Sequence, residues 1–329
     1  MRVSRPVVAA LFTGGTISMR LDAHEGGAVP SLSAEEMLGA ARGIEEVAEV
    51  RAEQWGRYPG PHMTVERQWA LRARIVEVLA EPDVAGVVVT HGTDTLEETA
   101  YLVARSVASA KPIVFTGAMR AASDLGYDGP QNLIDAVRVA ASDEAQSVGT
   151  MVVMGGRVFA GLEDTKSHTH QLDAFEAPGL GPIGVVDEDR VIFRRRVIGT
   201  PPVLAPDAPA TPVDIIATWA GCDARLLDAS LASGARGVVV AAMGRGNVPP
   251  EVVPGIERWV AAGRPVVIAS RAGRGRVGRT YAYPGGGRKL SELGALFAGS
   301  RRPAQARIDL MLGLGAGLSI DQLRVLFDG

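Results

Sequence analysis

The sequence predicts an α/β fold of two domains, in which mostly parallel sheets are flanked by helices. Short runs of β-branched residues alternate along the 329 residues with amphipathic stretches of helical length, and this alternation is typical of parallel strands joined by helices. Five prolines between Arg194 and Pro212 disfavour both helix and central strand, which indicates a linker. We therefore expect a larger N-terminal α/β domain at residues 1–195, a Pro-rich linker at 196–212 and a smaller C-terminal α/β domain at 213–329.

The strands are predicted where apolar, β-branched residues run together between glycine or proline residues. In chain order they are Val7–Phe12, Val84–Thr90, Pro112–Thr116, Thr150–Met154, Asp214–Thr218, Gly237–Ala241 and Pro265–Ser270. The helices are predicted where apolar residues recur on one face of a longer stretch. In chain order they are Ala34–Ala41, Thr64–Leu79, Leu96–Val107, Asn132–Ala140, Ala224–Ala232 and Ile256–Ala262.

The start of the helix Leu96–Val107 carries a further signal. Thr95 and Glu98 have the spacing of a capping box, with Thr95 as N-cap and Glu98 at the third helical position. A helix that begins there directs free N–H groups and the positive end of its dipole at residues 92–94. The sequence therefore predicts an electropositive helix end beside a polar loop.

Composition is that of a globular protein and argues against two classes of partner. Hydrophobic residues make up 47% of the chain, and the formal net charge of −3 gives no general attraction to nucleic acid or to an anionic membrane. The apolar stretch from Pro6 to Phe12 is too short for a signal sequence or a membrane span, so a cytoplasmic location is expected. A single cysteine, Cys222, excludes an internal disulfide and agrees with a reducing compartment.

Lysine is rare in this chain. Of 34 basic residues only Lys111, Lys166 and Lys289 are lysines. A lysine can lose its proton in a protein, whereas an arginine cannot. Each of the three is therefore a candidate for proton transfer.

Two predicted strands end in threonine-rich segments. Thr13-Gly14-Gly15-Thr16 follows the first strand, and Thr90-His91-Gly92-Thr93-Asp94-Thr95 ends the second. The ends of parallel strands line the crevice in which open sheets bind ligands. A threonine hydroxyl needs an adjacent base to act as a nucleophile; His91, Asp94 and a lysine are candidates, and proximity along the chain does not choose the lysine. The two segments predict an enzyme that uses hydroxyl chemistry.

These segments resemble the two signatures of bacterial-type L-asparaginases, the asparaginase/glutaminase family. The likeness covers most of the chain, and it is carried in order by Thr13–Ile17, His91–Thr95, Glu97–Tyr101, Thr116–Arg120, Asp128–Leu133, Asp164–Lys166, Ala242–Asn247 and the region from Ala306 to Leu312. A short Gly-rich loop alone is a weak motif, whereas several matches in order are specific. The resemblance implies an amidohydrolase that converts L-asparagine into L-aspartate and ammonia.

The resemblance also assigns catalytic roles. Thr16 corresponds to the nucleophile, which forms an acyl-enzyme ester with the side-chain amide carbon of the substrate. Thr93, Lys166 and Asp94 correspond to a second triad that activates a hydroxyl or water and relays protons. The backbone N–H of Thr93, with Ala118 nearby, is implied to stabilise the oxyanion.

The same resemblance implies the remaining partners. Asp94 would also hold the α-amino group of the substrate, and the other substrate-binding positions are Gly15, Gly60, His62, Gly92, Ala118 and, from the second domain, Asn247. No metal and no organic cofactor is implied. The expected partners are a small-molecule substrate, asparagine or glutamine, and further copies of the chain in a homodimer or homotetramer; neither nucleic acid nor a membrane is expected.

Three departures from the family pattern leave the substrate open. Gly60 stands where many members have a serine that binds the α-carboxylate, so a backbone N–H or His62 would take that role. The loop from Ser18 to Ser31 lacks the tyrosine that commonly polarises the nucleophile, and Tyr281 to Lys289 lacks an acidic residue that a neighbouring subunit often contributes. Such losses bear on substrate choice more than on reaction class. A glutaminase-like or other carboxamide hydrolase, or a catalytically weakened ligand-binding homologue, is therefore the alternative.

Other polar residues are expected to be structural. His91 is favoured as a core histidine that orients its loop, because a direct catalytic role would first need the right geometry. His168 and His170 would share a face on a strand, but a catalytic zinc site needs three protein ligands. Cys222 has no neighbouring positive charge that would activate its thiol, so we expect it to be buried.

Overall fold

A computed structural model describes residues 5–199 and 201–328. The chain divides into two compact units, Met1–Val203 and Leu204–Gly329. Each unit is α/β and has a hydrophobic core of its own. The fold class predicted from the sequence, with a larger N-terminal and a smaller C-terminal part, is confirmed.

The first unit is built on an eight-stranded sheet and two short antiparallel ribbons. In chain order the strands are β1 (Val7–Gly14), β2 (Met19–Asp22), β3 (Gly27–Pro30), β4 (Glu49–Tyr58), β5 (Val84–Thr90), β6 (Ile113–Thr116), β7 (Thr150–Met154), β8 (Arg157–Ala160), β9 (Thr165–Lys166), β10 (Phe175–Glu176), β11 (Gly184–Asp187) and β12 (Arg190–Phe193). The sheet runs β12-β11-β8-β7-β6-β5-β1-β4, while β2 pairs with β3 and β9 pairs with β10. In this spatial order the neighbours β7-β6-β5-β1-β4 pair in parallel, whereas the neighbours β7-β8-β11-β12 pair antiparallel.

Five helices accompany these strands in the described part of the first unit. They are α1 (Ala34–Ala40), α2 (Ile44–Val47), α3 (Val65–Leu79), α4 (Leu96–Ser106) and α5 (Gly129–Ala141). Residues of α1, α2 and α5 form one buried cluster with alternate residues of β1, because successive side chains of a strand point to opposite faces. Helix α3 contacts β5, and α4 contacts β6 and β7.

The strand order creates a switch point between β1 and β5. From β1 the chain passes to β4 on one side, and then returns across β1 to β5, β6 and β7 on the other. Open parallel sheets bind ligands in the crevice at the carboxyl ends of the strands where the order reverses. Both threonine-rich segments lie at these ends.

The second unit has a four-stranded parallel sheet. Its strands, in spatial and chain order, are β13 (Val213–Ala217), β14 (Gly237–Ala242), β15 (Val266–Ser270) and β16 (Leu296–Phe297). Its helices are α6 (Arg225–Ala232), α7 (Val253–Ala261), α8 (Gly287–Glu292), α9 (Pro303–Gly315) and α10 (Ile320–Asp328).

Every strand and helix predicted from the sequence is present, with ends shifted by a few residues. One local prediction is wrong: Thr95 is the N-cap of α4 but does not form a capping box with Glu98. Its hydroxyl instead donates to the carbonyl of Gly60, at 2.8 Å. A buried carbonyl needs a donor, and in this loop Thr95 supplies it to the chain that follows β4.

Candidate active site

The loops that follow β1, β4 and β5 touch one another through glycine backbones. A Cβ atom on Gly15 would lie 2.5 Å from Cα of Gly92, and one on Gly92 would lie 2.5 Å from Cα of Gly60, whereas ordinary Cβ contacts begin at 3.4 Å. No side chain fits at these contacts. Because Thr16 follows Gly15 and Thr93 follows Gly92, the two threonine segments lie side by side.

Lys166 joins the second segment through its ammonium group. Its Nζ lies 2.9 Å from Oγ1 of Thr93 and 2.7 Å from Oδ1 of Asp94. The side chain of Lys166 is 16% exposed and that of Asp94 is 57% exposed, so the ion pair itself stabilises the fold only modestly. An amine beside a hydroxyl can exchange a proton with it, and the carboxylate holds the amine in place. The structure thus brings together the lysine, threonine and aspartate that the resemblance grouped.

The backbone of Lys166 is held from two sides. Lys166 pairs with Phe175 in the β9–β10 ribbon, and Phe175 is buried. The N–H of Lys166 donates to Oε2 of Glu97, in the first turn of α4, at 2.7 Å. The lysine is therefore fixed to the helix that begins just after Asp94.

His91 lies in the core, as expected, and both of its ring nitrogens are bonded. Nδ1 is 2.9 Å from the carbonyl oxygen of Gly92, and Nε2 is 2.9 Å from Oγ1 of Thr99. A carbonyl can only accept, so Nδ1 carries the proton and Nε2 accepts from the Thr99 hydroxyl; Gln68 in turn donates to Thr99 at 3.0 Å. Complete burial lowers the pKa of His91 to about 4. The neutral ring holds the Gly92 carbonyl, and with it the peptide plane that carries the N–H of Thr93.

The loop after β6 meets the same segment. A Cβ atom on Gly117 would lie 2.7 Å from the carbonyl oxygen of His91 and 3.2 Å from Cγ2 of Thr93. Ala118, the next residue, is fully buried. Ala118 is therefore in the loop that packs on Thr93, where the resemblance places it.

Gly60 follows β4 and packs directly on the Asp94 loop. A Cβ atom on Gly60 would lie 3.1 Å from Cβ of Asp94, tighter than most real contacts. His62 is exposed, and its carbonyl accepts a hydrogen bond from Arg67. A larger residue at position 60 would therefore press on Asp94, which gives a packing reason for the glycine at this departure from the family pattern.

Thr16 begins a single 3₁₀ turn, Thr16–Ser18. Gly15 has a φ of 82°, in the left-handed region that glycine adopts without strain. Both the N–H and the hydroxyl of Ser18 donate to the carbonyl of Gly15, at 3.0 and 2.9 Å. Thr16 is half-buried and so keeps access to solvent from a fixed turn.

Tyr127 is a residue of this site that the sequence reasoning missed. Its phenol donates to the carbonyl of Ile17, the residue after Thr16, and Ile17 is 1% exposed. Burial and, as a smaller cause, the charge of Asp128 raise the pKa of Tyr127. The phenol therefore stays protonated and donates. Its one signal in the sequence was its position directly before the matched segment that begins at Asp128.

The last residue assigned to substrate binding lies in the second unit. Asn247 forms an isolated bridge with Met243, and its Oδ1 accepts from the N–H of Gly287 at 3.4 Å.

Residues 5–199 and 201–328 contain neither a membrane-spanning helix nor a cluster of metal-binding side chains. Every helix in these ranges is too short or too polar to span a bilayer. The same ranges contain no group of three or more His, Cys, Asp or Glu residues that could hold a metal ion. His168 and His170 are exposed, and Nδ1 of His168 accepts from the N–H of His170 at 3.1 Å.

Two family models match this chain almost end to end. The model described as "Asparaginase, N-terminal" matches residues 7–199, and "Glutaminase/Asparaginase C-terminal domain" matches residues 212–327. The chain belongs to the asparaginase family. The resemblance drawn from the motifs is confirmed.

Individual relatives extend over the same length. The chain is 37% identical over 330 residues to a "Probable L-asparaginase" of Deinococcus radiodurans, which covers 99% of this chain and 98% of that protein. It is 31% identical to an "L-asparaginase" of Bacillus licheniformis, over 94% of this chain and 95% of that one. The crystal structure of a "Probable Cytoplasmic L-asparaginase" from Campylobacter jejuni superimposes with a TM-score of 0.88 at 28% identity, covering 98% of this chain and 99% of that one.

Proposed function

We propose that this chain is an L-asparaginase, which converts L-asparagine and water into L-aspartate and ammonia. The cluster of Lys166 Nζ with Thr93 and Asp94, beside the Gly15–Gly92 contact, is the observation that carries the proposal. Membership of the asparaginase family supports the same activity. The relatives named "Probable L-asparaginase" and "L-asparaginase", which this chain matches over 98% and 95% of their length, support it further.

In the first step Oγ1 of Thr16 attacks the carbon of the substrate's side-chain amide. The hydroxyl proton passes through the relay of Thr93, Lys166 and Asp94 to the amide nitrogen. The new C–O bond forms, the C–N bond breaks, and ammonia leaves a β-aspartyl ester on Thr16. The N–H of Thr93, near Ala118, donates to the developing oxyanion, and a donor of this kind contributes about 3 kcal/mol to lowering the barrier.

In the second step water attacks the ester. Thr93 and Lys166 hold the water and accept one of its protons, which returns to Oγ1 of Thr16 as aspartate leaves. Asp94 binds the α-amino group of the substrate, and the other contacts come from Gly15, Gly60, His62 and Gly92. Neither step requires a metal or an organic cofactor.

Trapping of the ester tests the nucleophile. Mass spectrometry after rapid acid quenching should find a β-aspartyl adduct on Thr16 in the unmodified protein and none in Thr16→Ala. Lys166→Ala should still bind aspartate while losing turnover, and Thr169→Ala, a change of an exposed threonine, should behave as the parent. An adduct on any other residue would reassign the nucleophile.

The alternative is a hydrolase of different specificity, glutaminase-like or acting on another carboxamide. Gly60 favours it, because the hydroxyl that many members use for the α-carboxylate is absent at this position. A coupled assay of ammonia release from asparagine and glutamine, side by side, separates the two. Tight aspartate binding with no ammonia release from either would indicate a catalytically weakened homologue.

The proposal includes the organisation of the chain. We assign an N-terminal α/β catalytic domain to residues 1–195, a Pro-rich linker to 196–212 and a C-terminal α/β domain to 213–329, in a cytoplasmic homodimer or homotetramer. The neighbour described as a cytoplasmic L-asparaginase supports the location. Light scattering after size exclusion would give the mass of the assembly, and a monomer with full activity would contradict this part of the proposal.

A further inference from the structure

A cavity in the first unit lies at the opposite edge of the sheet from the threonine segments. It has a volume of about 890 Å³, and it lies between the C-terminal end of α5 and the edge strand β12. Strand β12 is five strand spacings away from β5, which at about 4.8 Å per spacing is roughly 24 Å. The cavity is therefore distinct from the candidate active site.

Arginine side chains dominate its lining. The five arginines are Arg138, Arg190, Arg194, Arg195 and Arg196, and the carboxylates that also line it are Glu144 and Asp189. The chain as a whole has a net charge of −3. A local excess of guanidinium groups in an acidic protein needs a physical explanation, because like charges held together repel one another.

The charges of these arginines are unequally compensated. Arg195 is neutralised by Glu163, with Nη1–Oε1 and Nη2–Oε2 distances of 3.2 and 2.5 Å. Among the residues that the structure describes, Arg190 pairs only with Asp189, at 3.9 Å and with both side chains more than 80% exposed, so this pair is weak. Among the described residues, Arg194 and Arg196 have neither an ion pair nor a hydrogen bond through their side chains, and both are exposed. The unpaired positive charge is therefore concentrated at Arg194 and Arg196.

Two buried donors on the same cavity also lack partners among the described residues. They are Oγ of Ser142, at the C-terminal end of α5, and Nε of Arg195. Nearly all buried polar groups in proteins are hydrogen-bonded to protein, to water or to a bound group, so these two donors are available to a ligand in the cavity. An anion with several acceptor oxygens would satisfy donors and charges together.

We propose that this cavity binds a small phosphate-bearing metabolite, which Arg194 and Arg196 hold by charge and Ser142 by a hydrogen bond. A guanidinium group matches the oxygens of a phosphate in a bidentate manner, which a compact ammonium cannot do. The volume lies in the range of pockets that hold ligands of nucleotide size. This inference is independent of the proposed hydrolase activity, because it concerns other residues and is tested by binding alone.

Isothermal titration calorimetry of the full chain at about 0.15 M salt tests the proposal, since that salt screens diffuse charge attraction beyond roughly 8 Å. The probes are inorganic phosphate, pyrophosphate and adenosine triphosphate, which separate a simple anion site from a nucleotide site. The double variant Arg194→Ala/Arg196→Ala should bind the best probe at least about tenfold more weakly, because hydrogen bonds to charged groups are among the stronger ones. Ser142→Ala should weaken binding without any change of charge.

A matched control removes the same charge elsewhere. Arg42 and Arg225 are exposed and do not line the cavity, so Arg42→Ala/Arg225→Ala should bind the probe as the parent does. Equal affinity in the parent and both double variants would overturn the proposal. Equal weakening in both double variants would also overturn it, since it would show only diffuse attraction. Tighter binding of single-stranded RNA than of every small probe would replace the metabolite with a nucleic acid.

Discussion

Adding one methyl group at Gly15 should separate the two threonine segments without touching either threonine. In Gly15→Ala the Cβ atom would lie 2.5 Å from Cα of Gly92, and an ordinary contact begins at 3.4 Å. The loops after β1 and β5 must therefore move apart by about 1 Å, and a misplacement of that size costs on the order of 100-fold in rate. The φ of 82° with a ψ of −177° lies in a region that essentially only glycine adopts, which adds strain of about 1–3 kcal/mol for a residue with a side chain. We expect kcat/KM for asparagine to fall about 100-fold or more.

Two control variants separate the clash from the strain. Gly43 has a φ of 86°, and a Cβ atom added there would have no neighbour within 4 Å, so Gly43→Ala should lose about 1–2 kcal/mol of unfolding free energy and keep its kcat/KM. Gly92 does not have a positive φ, yet its Cβ would lie 2.5 Å from Cα of Gly60; Gly92→Ala should therefore lose activity through the clash alone. Urea unfolding and ammonia release are measured on each variant. Activity within threefold of Gly43→Ala in both Gly15→Ala and Gly92→Ala would refute the reasoning.

Three further predictions concern side chains. Lys166→Met should lower kcat about 100-fold or more, the usual loss for a positioned proton-transfer group, while Lys289→Met, at an exposed lysine, should leave it unchanged in the same ammonia assay. The pKa of His91 is lowered to about 4 from 6.5, so its contribution to stability is complete above pH 6.5 and is lost towards pH 4, about 3 kcal/mol in total. Urea unfolding at pH 7 and pH 4.5 should therefore show a smaller change in His91→Asn than in the parent, and an equal change would contradict the assignment. Tyr127→Phe leaves the buried carbonyl of Ile17 without its donor and should cost about 1–3 kcal/mol of unfolding free energy, with a lower kcat and little change in KM; an unchanged unfolding midpoint and rate would exclude that role.

The strands that carry the threonine segments could be predicted because they are buried on both faces. Strands β1 and β5 are almost wholly buried, and buried parallel strands read as continuous apolar runs. Their polar carboxyl ends therefore stand out in the sequence. The contact of the two threonine segments through Gly15 and Gly92 agrees with the rule that such ends line one crevice.

Strand β4 could not be predicted in the same way. It lies at the edge of the described sheet, pairs with β1 on one side, and carries four charged residues among positions that are all exposed or half-buried. Charged side chains are typical of edge strands, where they discourage pairing with other chains, and they remove the apolar signal. The same strand positions Gly60, so the contact of Gly60 with Asp94 was also hidden.

Lys166 and Tyr127 were beyond local sequence reasoning for a different reason. Lys166 lies in a ribbon strand of two residues, too short to show a period, and it meets Thr93 across 73 positions of the chain. Tyr127 reaches Ile17 across 110 positions. Family resemblance identified the lysine, whereas the tyrosine, which no motif marked, emerged only from tertiary contact.

The ribbon that carries Lys166 is closed by residues 167–173, all of which are exposed. Insertions or deletions in such a surface segment are tolerated far better than changes in a sheet. Under the proposed role of Lys166, a change in this one external loop could remove turnover while the rest of the architecture persisted. Overall likeness would then not separate an active hydrolase from an inactive relative, whereas the position of the lysine amine would.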